Sequence, residues 1–343
     1  MDCPNQDLTR RRFLQGTARA AGILAVSSSS IPLLRAANPG RNANPFALDV
    51  ERLRRTDPKL VHYEQVGRFP CPAPNPRRIA IGPDDRVHIA AADTVTILDR
   101  AGGSVSKIVC AAPVRCVAVA PDGTVYAGVR DHVAVFDSAG KRLETWQSPG
   151  QRTWLTGLAL GENDVFAADS GNRLVLRYDK TGKLVGRIGE RNRDRNIPGL
   201  VVPSPYLDVK LAHDGLLRVN NTGRHRVEAY TTDGGLEFFW GQPSAAIEGF
   251  CGCCNPVGIA LLPDGRAATC EKGLPRVKIY SPRGVFESVV AGTETFFENA
   301  KAGTLKSRSD NLLGGLDAAV DSQERIYILD LVANDVRIMK RKA

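Results

Sequence analysis

The sequence has no long apolar run and no strong excess of one charge. A membrane-spanning helix needs about 20 consecutive apolar residues, and the weakly apolar stretch at residues 18–26 is shorter and is interrupted by Arg19. The formal net charge is +9, and it falls to +6 without residues 1–37, which hold five Arg and two acidic residues. Such a modest surplus is not the signature of a nucleic-acid-binding protein. The composition therefore predicts no transmembrane span in the mature chain and no nucleic-acid partner.

The first residues predict export from the cytoplasm. Residues 9–15 read Thr-Arg-Arg-Arg-Phe-Leu-Gln, which resembles the twin-arginine signal consensus, and small residues follow up to Ala36 and Ala37. The alternative, an amphipathic helix of the folded domain, explains less of this order of basic, apolar and small residues. The predicted regions are a signal peptide at 1–37, a linker at 38–58 and a propeller domain at 59–343. The predicted location is the periplasm or cell envelope.

Cysteine is more abundant than an ordinary core requires. There are eight cysteines, and Cys3 falls within the predicted signal. The remaining seven are an odd number, so at least one thiol is unpaired or binds something. Because the cell envelope permits disulfides, both pairing and metal binding are open to these residues.

One structural unit recurs along the folded part of the sequence. Each copy has short segments of alternating apolar residues separated by Asp-Gly or Gly-Lys turns, as antiparallel strands joined by hairpins require. In one copy, residues 116–127 contain a Pro-Asp-Gly turn, and residues 132–137 end in Phe-Asp. The second strands of the copies begin at Val87, Val125, Val165, Leu217, Ala267 and Ile326, with gaps of 38, 40, 52, 50 and 59 residues.

This spacing predicts the fold. A repeat of about 40 residues with four strands per unit is typical of propeller blades, none of which buries its own face alone. Residues 60–67 precede the first blade and predict the strand that completes the sixth blade and removes the exposed sheet edges. The predicted fold class is all-β: a monomeric six-bladed β-propeller of four-stranded antiparallel blades, closed by an N-terminal strand.

The repeats also resemble a known family. Residues 169–173 (Asp-Ser-Gly-Asn-Arg) and 223–227 (Gly-Arg-His-Arg-Val), followed by an aromatic residue and a glycine turn, are similar to NHL repeats. The similarity covers residues 60–343. It implies the propeller fold, but related propellers act as RNA readers, protein-docking rings, lyases and lactonases, so the resemblance leaves the function open.

The gaps above 40 residues place the insertions on one face. They fall at about 190–206, 242–255 and 293–311, which are all links between blades. These links lie at the same end of a propeller as the turns between the second and third strands, whereas the other turns are uniformly short. Loops on a rigid scaffold usually carry the binding function. We therefore expect the functional site at this end.

The second insertion contains the sequence Cys-Gly-Cys-Cys at residues 251–254, and Cys270 ends a strand of the following blade. Cys251, Cys253, Cys254 and Cys270 are thus candidate ligands for zinc, copper(I) or an iron–sulfur centre. The alternative is disulfide pairing, for example between Cys270 and Cys251 or Cys254.

A second pair of cysteines lies near the first blade. Cys110 and Cys116 enclose a short loop and are interpreted as a disulfide or as two buried thiols.

The loop-bearing face carries the other candidate ligand- or partner-binding residues. These are Tyr206, Arg224, His225, Asn255, Glu271 and Lys272. His225 stands between two arginines, where packing or ion pairing is the simpler interpretation. A zinc-dependent lyase of this fold would need several histidines at one level of the channel, but the five histidines occupy different strand positions. A calcium lactonase would need converging carboxylates, whereas most Asp residues here are in turns.

The sequence therefore favours a binding or scaffold protein that uses its loop-bearing face, with a cysteine-bound metal as an additional feature. The predicted partner is an envelope protein or a small ligand. The alternative is an envelope redox enzyme or metalloenzyme centred on the cysteine cluster.

Overall fold

The computed structural model describes residues 50–297 and 315–343. The predicted signal peptide, residues 38–49 of the predicted linker and residues 298–311 of the third insertion lie outside the described residues. Among the described residues, no helix has the length and apolar character needed to cross a membrane.

Alternating apolar segments form six four-stranded antiparallel sheets, which are the blades. The strand that precedes blade one is β1 (Tyr63–Pro70). Blade one contains β2 (Pro76–Ile81), β3 (Val87–Ala91), β4 (Thr94–Leu98) and β5 (Ser104–Val109). Blade two contains β6 (Val114–Val119), β7 (Val125–Val129), β8 (His132–Phe136) and β9 (Arg142–Thr145). Blade three contains β10 (Leu155–Leu160), β11 (Asp164–Asp169), β12 (Leu174–Asp179) and β13 (Leu184–Ile188).

The second half of the ring repeats this arrangement. Blade four contains β14 (Val209–Leu211), β15 (Leu217–Asn221), β16 (Arg226–Tyr230) and β17 (Leu236–Trp240). Blade five contains β18 (Gly258–Leu261), β19 (Ala267–Cys270), β20 (Val277–Tyr280) and β21 (Phe286–Ala291). Blade six contains β22 (Leu316–Val320), β23 (Ile326–Asp330) and β24 (Asp335–Arg341), with β1 as its fourth strand. Short helices are α1 (Val50–Leu53) and α2 (Thr293–Phe297), with 3₁₀ turns at Pro58–Leu60, Pro83–Asp85 and Thr222–Arg224.

The predicted six-bladed propeller and its closure are confirmed. The inner strands contact one another in the cyclic order β2, β6, β10, β14, β18 and β22, and β22 contacts β2 again. Strand β1 pairs with β24 from Tyr63 opposite Arg341 to Pro70 opposite Asp335. The closing strand begins three residues later than predicted because residues 58–60 form a 3₁₀ turn, which Asp57 caps through the Lys59 amide at 2.9 Å.

The core lies between neighbouring blades. Between blades two and three, Trp146 packs against Tyr126 and Tyr178, with ring centroids 5.9 and 5.2 Å away. The same cluster includes Val165 and Leu176, both buried. Each blade therefore completes its core with its neighbours, as the repeat predicts.

The Asp-Gly turns that fix the strand register have the expected chemistry. Asp122 accepts a hydrogen bond from the Thr124 amide at 2.9 Å, and Gly123 between them has a φ of +86°, which glycine adopts without strain.

Two of the predicted insertions pack on turns between second and third strands. In the first, the Val201 amide donates to Asn221 Oδ1 at 3.0 Å, and the Gly223 amide donates to the Val201 carbonyl at 2.8 Å. In the second, the Cys251 amide donates to Glu271 Oε2 at 3.3 Å. These contacts place both insertions at the end of the ring that the sequence identified as the loop-bearing face.

Removal of β1 tests ring closure. A chain that begins at Cys71 should lose at least about 3 kcal/mol of unfolding free energy relative to a chain that begins at Asp57, because Tyr63 and Phe69 are buried against neighbouring strands. Urea denaturation of the two chains measures the difference. Equal stabilities would contradict the closing role of β1.

Candidate functional site

The side chain of Arg78, on β2, joins five blades at the centre of the ring. Its Nε donates to the Thr156 carbonyl at 2.8 Å, and its Nη1 donates to Asp317 Oδ1 at 2.8 Å. Longer hydrogen bonds, both of 3.3 Å, reach the carbonyls of Val257 and Leu207. These acceptors lie on, or just before, the inner strands of blades three, six, five and four.

Asp208, Lys210 and Asp317 complete a charge-balanced group around Arg78, here called the central ion cluster. Asp208 accepts hydrogen bonds from Lys210 Nζ and the Ile259 amide, both at 3.0 Å, and lies 3.6 Å from Arg78. Asp317 also accepts from a backbone amide of β2 at 2.9 Å. Burial opposes ionisation of Asp208, but the charges of Arg78 and Lys210 outweigh it and hold its pKa below the ordinary value. Burial, together with the charge of Asp208, raises the pKa of Asp317 against the opposing charges of Arg78 and Lys210. When both carboxylates are ionised, two positive and two negative charges offset one another inside the ring.

A pocket of about 220 Å³ lies beside Arg78 at the loop-bearing face. Arg78 and Thr156 belong to its lining and to the network at the centre of the ring, so that network forms its floor. Its walls come from the starts of inner strands and from the loops beside them. They include Arg77 of blade one, Arg115 of blade two, Trp154 before blade three, Tyr206 before blade four, and Leu316 and Leu331 of blade six.

Cations and aromatic rings face one another at this pocket. The guanidinium of Arg115 lies 3.5 Å from the centre of the Trp154 ring, and Lys272 Nζ lies 4.6 Å from the centre of the Tyr206 ring. Burial raises the pKa of Tyr206 to about 12, so its phenol stays protonated at neutral pH. The pocket thus combines permanent positive charge with flat apolar surfaces.

Two of the sequence-predicted binding residues lie here. Tyr206 lines the pocket and Lys272 packs on its ring. Lys272 Nζ is 3.4 Å from Ser204 Oγ, which also interacts with the Cys254 thiol. Cys254 is therefore close to the pocket through Ser204, and burial raises its pKa.

Asn255 and Glu271 hold the second insertion on blade five. Asn255 Oδ1 accepts from the Lys272 amide at 2.9 Å, and Asn255 Nδ2 donates to the Lys272 carbonyl at 3.0 Å. Glu271 is fully buried, and Arg276 and Lys278 each donate to it at 2.9 Å. These contacts position the loop.

Arg224 and His225 lie on the turn between the second and third strands of blade four. His225 Nε2 donates to the Gly252 carbonyl at 2.6 Å and so ties this turn to the cysteine loop. Arg224 is partly exposed, and its Nε has no hydrogen-bond partner among the described residues. Neither residue lines the pocket.

The structure brings together only part of the predicted cysteine cluster. Cys253 Sγ and Cys254 Sγ are 3.1 Å apart, and Cys253 is exposed whereas Cys254 is buried. Cys270 is fully buried at the end of β19, within electrostatic reach of Asp317 and Arg78, and burial raises its pKa well above the ordinary value. Within residues 50–297 and 315–343, no group of three or more His, Cys, Asp or Glu is arranged to hold a metal ion.

Cys110 and Cys116 are both free thiols in the structure. Cys110 belongs to the core between blades one and two, and Cys116 belongs to the core between blades two and three. The sheet of blade two therefore separates the two side chains, and the structure does not join them.

Sequence reasoning missed most of the pocket. Arg77, Arg78, Arg115 and Trp154 were not identified as functional residues. The available signal is the placement of arginines within two neighbouring inner strands, β2 and β6, that are otherwise mostly apolar. An inner strand faces the centre of the ring, so charged residues there need partners or a ligand.

No protein-family model matches the sequence, and no curated protein matches it. A streptogramin B lyase structure matches with a TM-score of 0.56 and 14% identity, over 82% of this chain and 97% of that chain. A catalytically inactive histidine-to-alanine variant of virginiamycin B lyase from Staphylococcus aureus, with quinupristin, matches with a TM-score of 0.55 and 12% identity. This match covers 80% of this chain and 83% of that chain. A protein of unknown function from Bacteroides thetaiotaomicron VPI-5482 matches with a TM-score of 0.58 and 15% identity, over 82% of this chain and 76% of that chain. At these identities the likeness shows the fold alone.

Thiol labelling tests the placement of the cysteines. In the native protein, iodoacetamide should modify Cys253 first, because Cys253 is exposed, and should spare Cys116 and Cys270, because both are fully buried and have raised pKa values. Peptide mass spectrometry after native and denatured labelling measures this order.

The same labelling separates the alternatives for the cluster. After unfolding without reductant, all seven cysteines from Cys71 to Cys270 should react. Fewer reactive thiols would indicate disulfides, and protection of Cys253 that a chelator removes would indicate a bound metal. Native labelling of Cys270 as fast as that of Cys253 would contradict the structure.

Proposed function

We propose that the protein is a binding propeller that holds a small ligand in the pocket at its loop-bearing face. Two donors of the lining carry this proposal. Arg115 Nε and Trp154 Nε1 are buried, and neither has a hydrogen-bond partner among the described residues. Buried donors in native proteins are nearly always paired, and an unpaired one costs about 1–3 kcal/mol. Neither nitrogen has accessible surface, so a ligand with acceptor atoms would satisfy both only after the Arg115 and Trp154 side chains shift toward the pocket.

The chemistry of the lining favours binding over catalysis. Proton transfer at neutral pH needs a group whose pKa lies near 7. The described lining contains no histidine, cysteine or carboxylate, and its phenol, Tyr206, has a pKa of about 12. One of the similar propellers is a histidine-to-alanine lyase variant that is catalytically inactive. Among the residues that the structure describes, no histidine lines the pocket of this chain.

The pocket is also built to keep its shape. Arg78 in its floor is fixed by hydrogen bonds to blades three, four, five and six, and the Thr156 hydroxyl donates to the Leu207 carbonyl. A rigid floor lowers the ordering cost of binding a small ligand. The NHL resemblance and the location in the cell envelope remain predictions from the sequence, and we propose them as the setting of this function.

Affinity selection followed by mass spectrometry tests the proposal. The wild-type protein is equilibrated with a defined mixture of organic acids, amino acids, sugars, nucleosides and amines. The Leu331→Trp variant fills the pocket, and the Leu143→Trp variant adds the same side chain on exposed β9. We expect the wild type and Leu143→Trp to retain the same compounds without converting them chemically. Leu331→Trp should retain at least tenfold less of each of these compounds.

Three outcomes would contradict the proposal. In the first, the wild type retains no compound. In the second, Leu331→Trp retains as much of the compound as the wild type and melts at the same temperature. In the third, the retained compound is chemically converted. The last result would identify an enzyme.

A further inference from the structure

We propose that the pocket is selective for a small organic carboxylate, with the carboxylate held by Arg77 and Arg115 and the apolar part packed between Trp154 and Tyr206. This inference rests on the proposed function and names the class of ligand for the same pocket.

The pocket wall carries positive charge that no carboxylate of the described residues pairs with. Arg77 and Arg115 both line the pocket, and neither forms an ion pair with any of the described residues. Burial lowers the pKa of Arg115, and the neighbouring charges of Arg77 and Arg130 lower it further. These like charges repel one another, and an anion between them would remove that cost.

The carboxylates of the pocket floor are already paired. Asp208 and Asp317 contact Arg78 in the floor, and both are fully buried. They already bind Arg78 and Lys210 in the central ion cluster. They therefore have no capacity left to neutralise the arginines of the wall.

The donors of Arg115 and Trp154 have a geometry that suits a carboxylate. The face of the Arg115 guanidinium stacks on Trp154 at 3.5 Å, which leaves its planar edge for hydrogen bonding. The edge of the guanidinium includes Arg115 Nε, which has no hydrogen-bond partner among the described residues. The Trp154 ring, on which the guanidinium stacks, carries the second unpartnered donor, Nε1. A guanidinium edge matches the two oxygens of a carboxylate, and such charge-assisted pairs are about twice as strong as neutral ones.

The volume and the apolar lining of the pocket limit the size of the ligand and favour a ligand with an apolar part. A volume of about 220 Å³ lies below the range of about 300–1,000 Å³ that is usual for drug-sized ligands, which favours a ligand smaller than a nucleotide or a folded peptide segment. Leu316, Leu331 and the rings of Trp154 and Tyr206 supply apolar walls. An inorganic anion would leave these walls in contact with water, whereas benzoate-sized carboxylates would cover them.

Selectivity against neutral compounds follows from the buried donors. A neutral amide of the same shape would place its own N–H groups against the arginines and leave part of their charge unpaired. Sites built to hydrogen-bond one group reject analogues that lack it by large factors.

Calorimetric titration with three probes tests the inference. Benzoate is the expected ligand class, benzamide is its neutral analogue, and inorganic phosphate is an anion without an apolar part. We expect benzoate to bind at least tenfold more tightly than either of the others, and its affinity to fall with added salt.

Two variants and a control locate the binding. Arg115→Gln and Arg77→Gln should each weaken benzoate binding by roughly ten- to a hundredfold, as expected for a hydrogen bond to a charged group. Arg283→Gln removes the same charge from an exposed turn between β20 and β21 and should bind benzoate as the wild type does. Circular dichroism and melting temperature show that each variant is folded.

Each contrary outcome overturns the inference. If benzamide binds as tightly as benzoate, charge does not select the ligand. If phosphate binds as tightly as benzoate, the apolar walls do not contribute. If benzoate does not bind at tens of millimolar, neither feature recognises a carboxylate. Retention of a neutral compound in the affinity selection, blocked by Leu331→Trp, would overturn the carboxylate class while leaving the binding function intact.

Discussion

The buried ion pair of Arg78 with Asp317, supported by Asp208, is the interaction on which the centre of this propeller depends. A six-bladed ring leaves the inner ends of its sheets facing one another, and β14 and β18 offer only short strands there. The Arg78 side chain fills that space and donates hydrogen bonds to acceptors of blades three, four, five and six. A buried charge is costly unless it is paired and fully hydrogen-bonded, and removal of one partner costs more than the pair contributes. The cluster therefore fixes how the blades meet, in addition to any stability it supplies.

The same cluster also bounds the pocket. Arg78 and Thr156 close the pocket on its inner side, so the available space is confined to the loop-bearing face. The two described insertions are held there by Asn221 and Glu271. Because both carboxylates of the cluster are engaged, Arg77 and Arg115 remain as the positive charges of the wall. Packing at the axis and the chemistry of the pocket thus follow from one arrangement of charges.

Repeat spacing, turn residues and alternating apolar positions were sufficient to predict the six blades, the closing strand and the loop-bearing face. Those features depend on local patterns that every blade repeats. The pocket depends instead on single residues from different blades, such as Arg78 and Trp154, and their meeting point is visible only once the ring is closed. Cys270 shows the same limit, because blade topology placed it on the same face as Cys254 and suggested one cluster, whereas its side chain is fully buried within electrostatic reach of Asp317. Tyr206 was predicted because it ends the first insertion, and Lys272 was predicted because it follows Cys270 at the turn between the second and third strands of blade five.

A double-mutant cycle on Arg78 and Asp317 tests the central claim most directly. Arg78→Met, Asp317→Asn and the double variant are compared with the wild type by urea denaturation. We expect Arg78→Met to lower the unfolding free energy by about 3–5 kcal/mol, because it leaves two buried carboxylates with only Lys210. The double variant should lose at least about 1 kcal/mol less than the sum of the single variants. Additive losses, or an Arg78→Met protein as stable as the wild type, would contradict the account.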